Sequence, residues 1–209
     1  GATSGNGDIF INDLVGWGAD TTLTLNADRD IRVNAVVTAA GKAAGLSINP
    51  GSGGVFSVGS GGSINLTGLS ATLDIGGNSY TLLHSVTDLQ GVGLTGYYAL
   101  AESFSAVSAT AFNPIGNTDV AFSGVFEGLG NTISGLTLNR PSSSHVGLFA
   151  VSSGVIRDVN LSKVSISGFS ILGGLAAENR GLIENSSVDG QVLLGESLIQ
   201  RQSFALEPY

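Results

Sequence analysis

The strongest constraint on the fold is a pair of near-copies late in the chain. One begins at Gly147 and the other at Gly174, and both follow the pattern Gly-Leu-x-Ala-x-x-x-Gly-x-Ile. The pattern places Gly154 and Ile156 in the first copy, and Gly181 and Ile183 in the second. The offset between the copies is 174 − 147 = 27. Self-similarity at a period of about 20 to 50 residues indicates a solenoid, a propeller or another repeat array.

A glycine-rich stretch that starts at Gly124 leads this repeat series. Aligning Ile133, Ile156 and Ile183 gives spacings of 23 and 27 (156 − 133 and 183 − 156). We therefore expect these three side chains to stack in one interior column. A rung of about 20–27 residues cannot bury its apolar face alone, so its neighbours must cover it. With about eight or nine rungs at ~4.8 Å per step, the rod would be roughly 40 Å long.

The composition favours β-structure. Glycine makes up 32 of 209 residues, about twice the usual share, and only 11% of residues are charged. Apolar and polar residues alternate in runs such as Thr22–Asn26, Ser63–Leu66 and Thr72–Ile75, which is the pattern of short strands. The predicted fold class is therefore all-β, a β-solenoid of parallel strands.

The chain divides into four parts on these patterns. Residues 1–79 and 112–195 are predicted as β-helix rungs. Between them, residues 80–111 are predicted as an irregular connection with a short helix, capped by Ser85 and closed by Gly91. Residues 196–209 fit neither a rung nor a glycine corner, and are a tail, a cap or an expression remnant.

Composition also excludes several classes of function. The net charge of −8 and the absence of a basic cluster argue against nucleic-acid binding. The sequence contains no run of about 18 apolar residues, so no membrane-spanning helix is predicted. Without cysteine and with two histidines, the chain has almost no ligands for a zinc site. We predict no catalytic residues, no metal and no cofactor.

The densest cluster of charges comprises Asp20, Asp28, Arg29, Asp30 and Arg32. Paired carboxylates could perform acid–base chemistry on a polysaccharide. A solvated corner, with the aspartates in turns, is the favoured interpretation, because no second group of acids obviously joins the cluster.

Three other patterns in the sequence are explained without a functional site. His84 and His145 are expected at ordinary surface positions, since no acid or nucleophile lies at motif spacing. The glycines from Gly124 to Gly130 lack the lysine of a phosphate-binding loop and are expected to be corners of the coil. Asn65, Asn160 and Asn185 match the glycosylation pattern, but such matches are frequent by chance in Asn/Ser/Thr-rich chains.

The Gly147 and Gly174 units resemble the GLUG motif of large secreted bacterial proteins. Other stretches, including Thr22–Ala27, Ile31–Ala35, Tyr80–Leu83 and Phe112–Asn117, resemble repeats of filamentous-haemagglutinin-like exoproteins of two-partner secretion. Together these stretches cover most of residues 5–195. The resemblance implies a right-handed parallel β-helix, secretion to the bacterial cell surface, and a role in adhesion or biofilm. The secretion-signal domain of that family has no counterpart in this sequence, which is therefore expected to be an internal stretch of a longer rod.

The expected function is that of a surface stalk or adhesin segment without catalysis. The alternatives are a β-helical enzyme acting on polysaccharides and the spacer stalk of a contact-dependent toxin-delivery protein. The loops Gly91–Tyr98 and Pro141–His145, together with the extra residues near Phe169–Leu172, are the candidate contact surfaces. The expected partners are a surface glycan or polysaccharide, and a second copy of the chain through open rung edges.

Overall fold

The computed structural model describes residues 7–107 and 112–194. It is a β-solenoid of about six turns, built almost entirely of short parallel strands. The fold class predicted from the repeats is thus confirmed, with fewer turns than the eight or nine expected. The predicted tail, residues 196–209, lies outside the described residues.

The chain forms two coils, which we call the N-terminal coil (residues 7–76) and the C-terminal coil (residues 77–107 and 112–194). The strands of the N-terminal coil are β1 (Ile9–Ile11), β2 (Val15–Trp17), β3 (Thr22–Asn26), β4 (Ile31–Val33), β5 (Val36–Ala39), β6 (Gly45–Asn49), β7 (Phe56–Val58), β8 (Ser63–Leu66) and β9 (Thr72–Ile75). The elements of the C-terminal coil are β10 (Asn78–Leu83), α1 (Val86–Gln90), β11 (Tyr97–Leu100), β12 (Phe104–Ser105), β13 (Val125–Glu127), β14 (Thr132–Ser134), β15 (Thr137–Arg140), β16 (Phe149–Ser152), β17 (Val155–Arg157), β18 (Asn160–Gly168), β19 (Ala176–Asn179), β20 (Leu182–Glu184) and β21 (Ser187–Leu194).

The rungs stack in sheets whose neighbouring strands are one turn apart in the sequence. Ile9 of β1 pairs with Ile31 of β4, a step of 22 (31 − 9) along the chain. Val125 of β13 pairs with Val155 of β17, a step of 30 (155 − 125), which exceeds the predicted upper value of 27. The alternation read from the sequence is preserved in these sheets, because every second side chain of β6 and β9 is buried in the core.

One sheet runs through both coils, in the strand order β20-β17-β13-β11-β10-β9-β6-β3. All of its pairings are parallel except that between β9 and β10, which form an antiparallel hairpin. Gly76 and Gly77 form the turn, with φ of 60° and 80°. Two successive positive φ values are the requirement of the tight hairpin turn that matches strand twist.

The hairpin changes which face of this sheet is the interior. Residues paired directly across two strands point to the same face. Leu73 lies in the core of the N-terminal coil and pairs with Tyr80, and the same face continues through Leu82 and Ala99 to Glu127. The opposite face carries the core of the C-terminal coil, as Tyr98, Phe126, Ile156 and Ile183 show. The two coils therefore lie on opposite sides of one shared sheet.

The repeat residues occupy stacked positions, with one correction. Ile156 pairs with Ile183, as the period of the two near-copies predicts. The prediction that Ile133 lies below Ile156 is wrong, because Ile156 pairs with Phe126 and Ile133 pairs with Leu161 in another sheet. A corner at Gly128–Asn131 separates β13 from β14 within one rung. The alignment of isoleucines did not take the length of this corner into account.

A column of glycines marks one corner of the C-terminal coil. A Cβ atom on Gly154 would collide with the carbonyl oxygen of Gly124, and one on Gly181 would collide with that of Gly154. Gly147 and Gly174 mark a second corner, where the Leu148 N–H donates to the Gly174 carbonyl (3.2 Å). Glycine is needed at Gly147, Gly154 and Gly181 because a Cβ atom would meet the backbone of a neighbouring rung, whereas at Gly174 it would meet the Val188 side chain.

Candidate functional site

The charged corner found in the sequence is a network of ion pairs and backbone contacts. Arg29 binds Asp8 through two hydrogen bonds of 2.7 and 2.6 Å. The Asp20 carboxylate accepts from the Ala43 N–H (2.8 Å), and Asp30 accepts from the Val55 N–H (3.0 Å). These carboxylates hold one rung to the next. The arrangement therefore joins corners of successive rungs.

Asp28 and Arg32 complete that cluster. Asp28 lies at an exposed corner, and the Arg32 side chain is exposed on β4, where Nε donates to Ser57 Oγ (3.3 Å). These positions belong to a solvated corner.

Each histidine lies beside a glutamate, which the sequence did not predict. His84 Nδ1 is 3.5 Å from Glu102 Oε1, and His145 Nε2 is 3.2 Å from Glu178 Oε2. Both histidine side chains are only 14% exposed, so neither occupies an ordinary surface position. Each glutamate is far from its histidine in the sequence, so no local motif predicts that the two side chains lie together.

The loop predicted at Pro141–His145 lines a cleft of about 350 Å³. Ser143, Ser144 and His145 form one side of it, and Asn113 and Asn117 lie on another. Arg140 Nη2 donates to the Phe112 carbonyl and to Asn113 Oδ1, both at 2.7 Å, which fixes the cleft wall. The cleft therefore presents hydroxyl, amide and imidazole groups together.

The other two candidate loops are arranged differently. In Gly91–Tyr98, the Tyr98 hydroxyl accepts from the Gly93 N–H and donates to the Thr95 carbonyl, each at 3.0 Å, so the loop is folded on itself. In the third loop, Phe169 and Ile171 are exposed apolar residues.

A buried group of charges lies where the two coils meet. Glu127 is 0% exposed, and its Oε2 is 3.2 Å from Arg157 Nη2. Arg157 also approaches Glu184, with 4.0 Å between Nη1 and Oε1. Paired strands explain this ladder, because Glu127, Arg157 and Glu184 occupy matching positions on β13, β17 and β20.

Glu127 faces outward from the C-terminal coil, yet the N-terminal coil covers it. The Ile64 N–H donates to the Leu129 carbonyl (3.0 Å), and the Leu66 N–H donates to the Ala101 carbonyl (2.7 Å). Asn131, which is 1% exposed, donates through Nδ2 to the carbonyls of Ile64 (2.8 Å) and Leu100 (3.2 Å). The last rung of the N-terminal coil is therefore bonded to the C-terminal coil.

Burial dominates the electrostatics of this junction. Loss of water raises the pKa of Glu127 to about 8, and the neighbouring Arg157 only partly opposes it. Burial also raises the pKa of Asp158, and it raises the pKa of Tyr80 to about 12 with a contribution from the Glu127 charge. Among the described residues, neither Glu127 oxygen has a well-aligned hydrogen-bond donor.

A second cleft of about 350 Å³ opens beside these charges, between the coils. Val58, Gly59, Ser60 and Gly62 line it from the N-terminal coil. Gly130, Asp158, Asn160 and Asn185 line it from the C-terminal coil. Asp158 and Asn185 both have positive φ (54° and 48°), because they occupy the same corner of successive rungs.

The described residues contain neither a cluster of metal ligands nor a membrane-spanning helix. No group of three or more His, Cys, Asp or Glu side chains in residues 7–107 and 112–194 is arranged to hold a metal ion. No helix in this part of the chain is long and apolar enough to cross a membrane.

The junction residues were not predicted from the sequence. In the sequence, Glu127 alternates with buried Phe126 and so has the pattern of an exposed polar residue. The available signal was Gly76-Gly77 between two strand runs, which is typical of a tight hairpin and hence of a change of face. Each of the three asparagines in glycosylation-type patterns has a position in the coil. Asn160 donates to the Gly130 carbonyl (3.1 Å), Asn185 lies at a corner with positive φ, and Asn65 lies on β8.

Comparison with known proteins gives two partial similarities. Over 127 residues the chain is 35% identical to halomucin from Haloquadratum walsbyi, an alignment that covers 53% of this chain and 1% of halomucin. Over 83 residues it is 32% identical to a protein described as a Gly-rich membrane protein from Evansella cellulosilytica, covering 37% of this chain and 10% of that protein. No family model matches the chain, and no solved structure matches it significantly. The resemblance to filamentous-haemagglutinin-like proteins stays a prediction. The chain spans a small fraction of the length of both relatives.

Proposed function

We propose that this chain is a structural segment of a much larger cell-surface protein, in which the β-solenoid serves as a rigid, non-catalytic stalk. The observation that supports this most directly is the single eight-stranded sheet that continues through both coils. Strands that share a sheet resist bending, because each strand is hydrogen-bonded to the next, both between parallel rungs and across the antiparallel hairpin. The matches to short parts of halomucin and of a Gly-rich membrane protein agree with a segment of a much longer chain.

Surface labelling tests the proposed location. Antibodies raised against the purified chain should label intact cells that express the parent protein, and external protease should remove the label. Labelling that requires permeabilised cells would contradict a surface stalk.

Attachment to a surface glycan is the finer proposal, and the cleft at the Pro141–His145 loop is its candidate surface. Hydroxyls of Ser143 and Ser144, with the amides of Asn113 and Asn117, supply donors and acceptors suited to sugar hydroxyls. A glycan array should give binding that a Ser143→Ala/Ser144→Ala variant loses. Ser70→Ala, a change at an exposed residue of the N-terminal coil, is the matched control and should keep binding.

A polysaccharide-acting enzyme is the second candidate, and the acids on successive rungs favour it. Glu127, Asp158 and Glu184 come from consecutive turns, and the raised pKa values of the Glu127 and Asp158 carboxyls are typical of catalytic acids. The stalk is preferred because Glu127 has no solvent-exposed surface and does not border the cleft. We expect no new reducing ends when the protein is incubated with a panel of polysaccharides. Turnover that Asp158→Asn abolishes would reverse this preference.

A further inference from the structure

Glu127 is a carboxyl group sealed inside the contact between two coils. Its residue is 0% exposed, and the strands on either side of β13 place Ala99 and Arg157 next to it. The junction closes over it through the Ile64–Leu129 and Leu66–Ala101 backbone hydrogen bonds. A carboxylate held in such a place is costly, because water is removed and no aligned donor in the described residues replaces it.

Among the described residues, the charged and titratable neighbours of Glu127 lie mainly on strands of the shared sheet. Arg157 on β17 is the cation, at 3.2 Å, and it is shared with Glu184 of β20. Asp158, at the end of β17, is a second buried acid beside Glu127. Tyr80 of β10 lies near both Glu127 and Arg157, and Tyr97 of β11 contacts the Tyr80 ring. The N-terminal coil contributes no titratable group in the segment from Val58 to Gly62 that borders the cleft.

One guanidinium thus serves three carboxyl groups, two of which are buried. When all three are ionised, the cluster holds more negative than positive charge inside the junction. Of these three carboxyl groups, that of Asp158 belongs to a residue that lines the adjacent cleft. We propose that Glu127 is a proton-controlled lock: its protonated form keeps the two coils packed, and its ionisation loosens their junction and hydrates the cleft between them.

The sign of the effect follows from the direction of the pKa change. The packed state raises the pKa of Glu127 from 4.5 to about 8, so the packed state binds this proton more tightly than the open state does. The stabilisation of the junction is complete below about pH 4.5 and declines as the pH rises towards 8. Alkaline conditions therefore favour the loosened form.

Hydrogen exchange of the whole chain tests this lock. The Ile64 and Leu66 amides bond across the junction, whereas the Phe149 amide bonds to Leu175 within the C-terminal coil (2.8 Å). After correction for the intrinsic pH dependence of exchange, we expect opening at Ile64 and Leu66 to increase at least tenfold between pH 6 and pH 9. Opening at Phe149 should change less than twofold.

The Glu127→Gln variant keeps the shape of the side chain and removes its titration. In this variant, Ile64 and Leu66 should stay protected, with less than a twofold change over the same pH range. Glu184→Gln is the matched control, because it neutralises the exposed acid of the same ladder and should retain the tenfold rise. The proposal is overturned if Glu127→Gln retains the rise, or if Phe149 opens in parallel with Ile64. If Glu127→Gln does not fold, a flat wild-type response at Ile64 and Leu66 would still overturn it.

Discussion

Asn131 joins the two coils through one buried amide. Two hydrogen bonds from its Nδ2 satisfy carbonyls of Ile64 in the N-terminal coil and Leu100 in the C-terminal coil. Asparagines on the outside of the N-terminal coil make a different kind of contact: half-buried Asn34 donates to Asn12, and half-buried Asn49 donates to Asn26. The same side-chain type thus serves a buried joint and a solvated ladder.

Removal of the buried Asn131 amide should lower the free energy of unfolding. Asn131→Ala leaves two buried carbonyls without a donor, and we expect a loss of about 2–3 kcal/mol in the free energy of unfolding. Asn26→Ala, in the exposed ladder, should cost less than about 0.5 kcal/mol. Urea denaturation followed by circular dichroism measures both, and equal losses in the two variants would contradict the bridging role of Asn131.

The corner glycines differ in the space around them. A side chain on Gly154 would meet the backbone of Gly124, whereas Gly18 has no atom within 4 Å of the place a Cβ would occupy. We expect Gly154→Ala to destabilise the fold by about 1–3 kcal/mol through overpacking, and Gly18→Ala to be neutral. Thermal unfolding of the two variants compares them directly; a tolerated alanine at residue 154 would refute the stacked corner.

At the scale of elements, short strands and the helix follow their local sequence closely. The alternation of apolar and polar residues correctly predicted strands β3, β8 and β9. The predicted helix forms as α1, and the Ser85 hydroxyl accepts from the Asp88 N–H (3.2 Å). Strand partners were harder to predict, because pairing depends on how many residues each corner uses. Ile133 shows this, since the Gly128–Asn131 corner moves it to another sheet than Ile156.

The β9–β10 hairpin should tolerate only residues that accept positive φ. Valine at Gly76 would be strained, and we expect Gly76→Val to cost about 1–3 kcal/mol. Gly76→Asn should cost clearly less, since asparagine adopts this conformation readily. Chemical denaturation of the pair checks the difference; similar losses would mean that the turn does not need positive φ at this residue.

At the scale of the whole molecule, the exposed face of the last described rung is apolar. Leu182, Val188, Val192, Leu193 and Leu194 are all exposed on β20 and β21. Within the described residues, these strands have a partner strand on one side only. Unpaired strand edges with apolar side chains are templates for further pairing.

Self-association through this edge should therefore depend on concentration. A Val192→Lys/Leu193→Lys variant should be more monomeric than the wild type in sedimentation velocity, because charge at an edge opposes strand addition. Leu69→Lys, at an exposed residue of the N-terminal coil, is the control and should leave association unchanged. Identical behaviour of all three proteins would rule out this edge as the contact.

The architecture could be predicted from the repeat, but the junction could not. The period is visible in the two aligned copies at Gly147 and Gly174, and it determines how neighbouring rungs pair. The burial of Glu127 depends on contacts made by residues such as Ile64 and Leu66, which lie much earlier in the chain. A single sequence shows the alternation of Phe126 and Glu127, but it does not show which element covers the outer face.

The change of interior across the shared sheet has a mechanical consequence. Because the coils lie on opposite sides of that sheet, the axes of the two coils are offset from each other. Tension applied to the two ends therefore acts along different lines and produces a torque at the hairpin. Within each coil the hydrogen bonds between rungs run along the axis and share the load, but the contact between the coils is peeled apart, one hydrogen bond after another. In a long stalk, such a step would yield before the straight parts do.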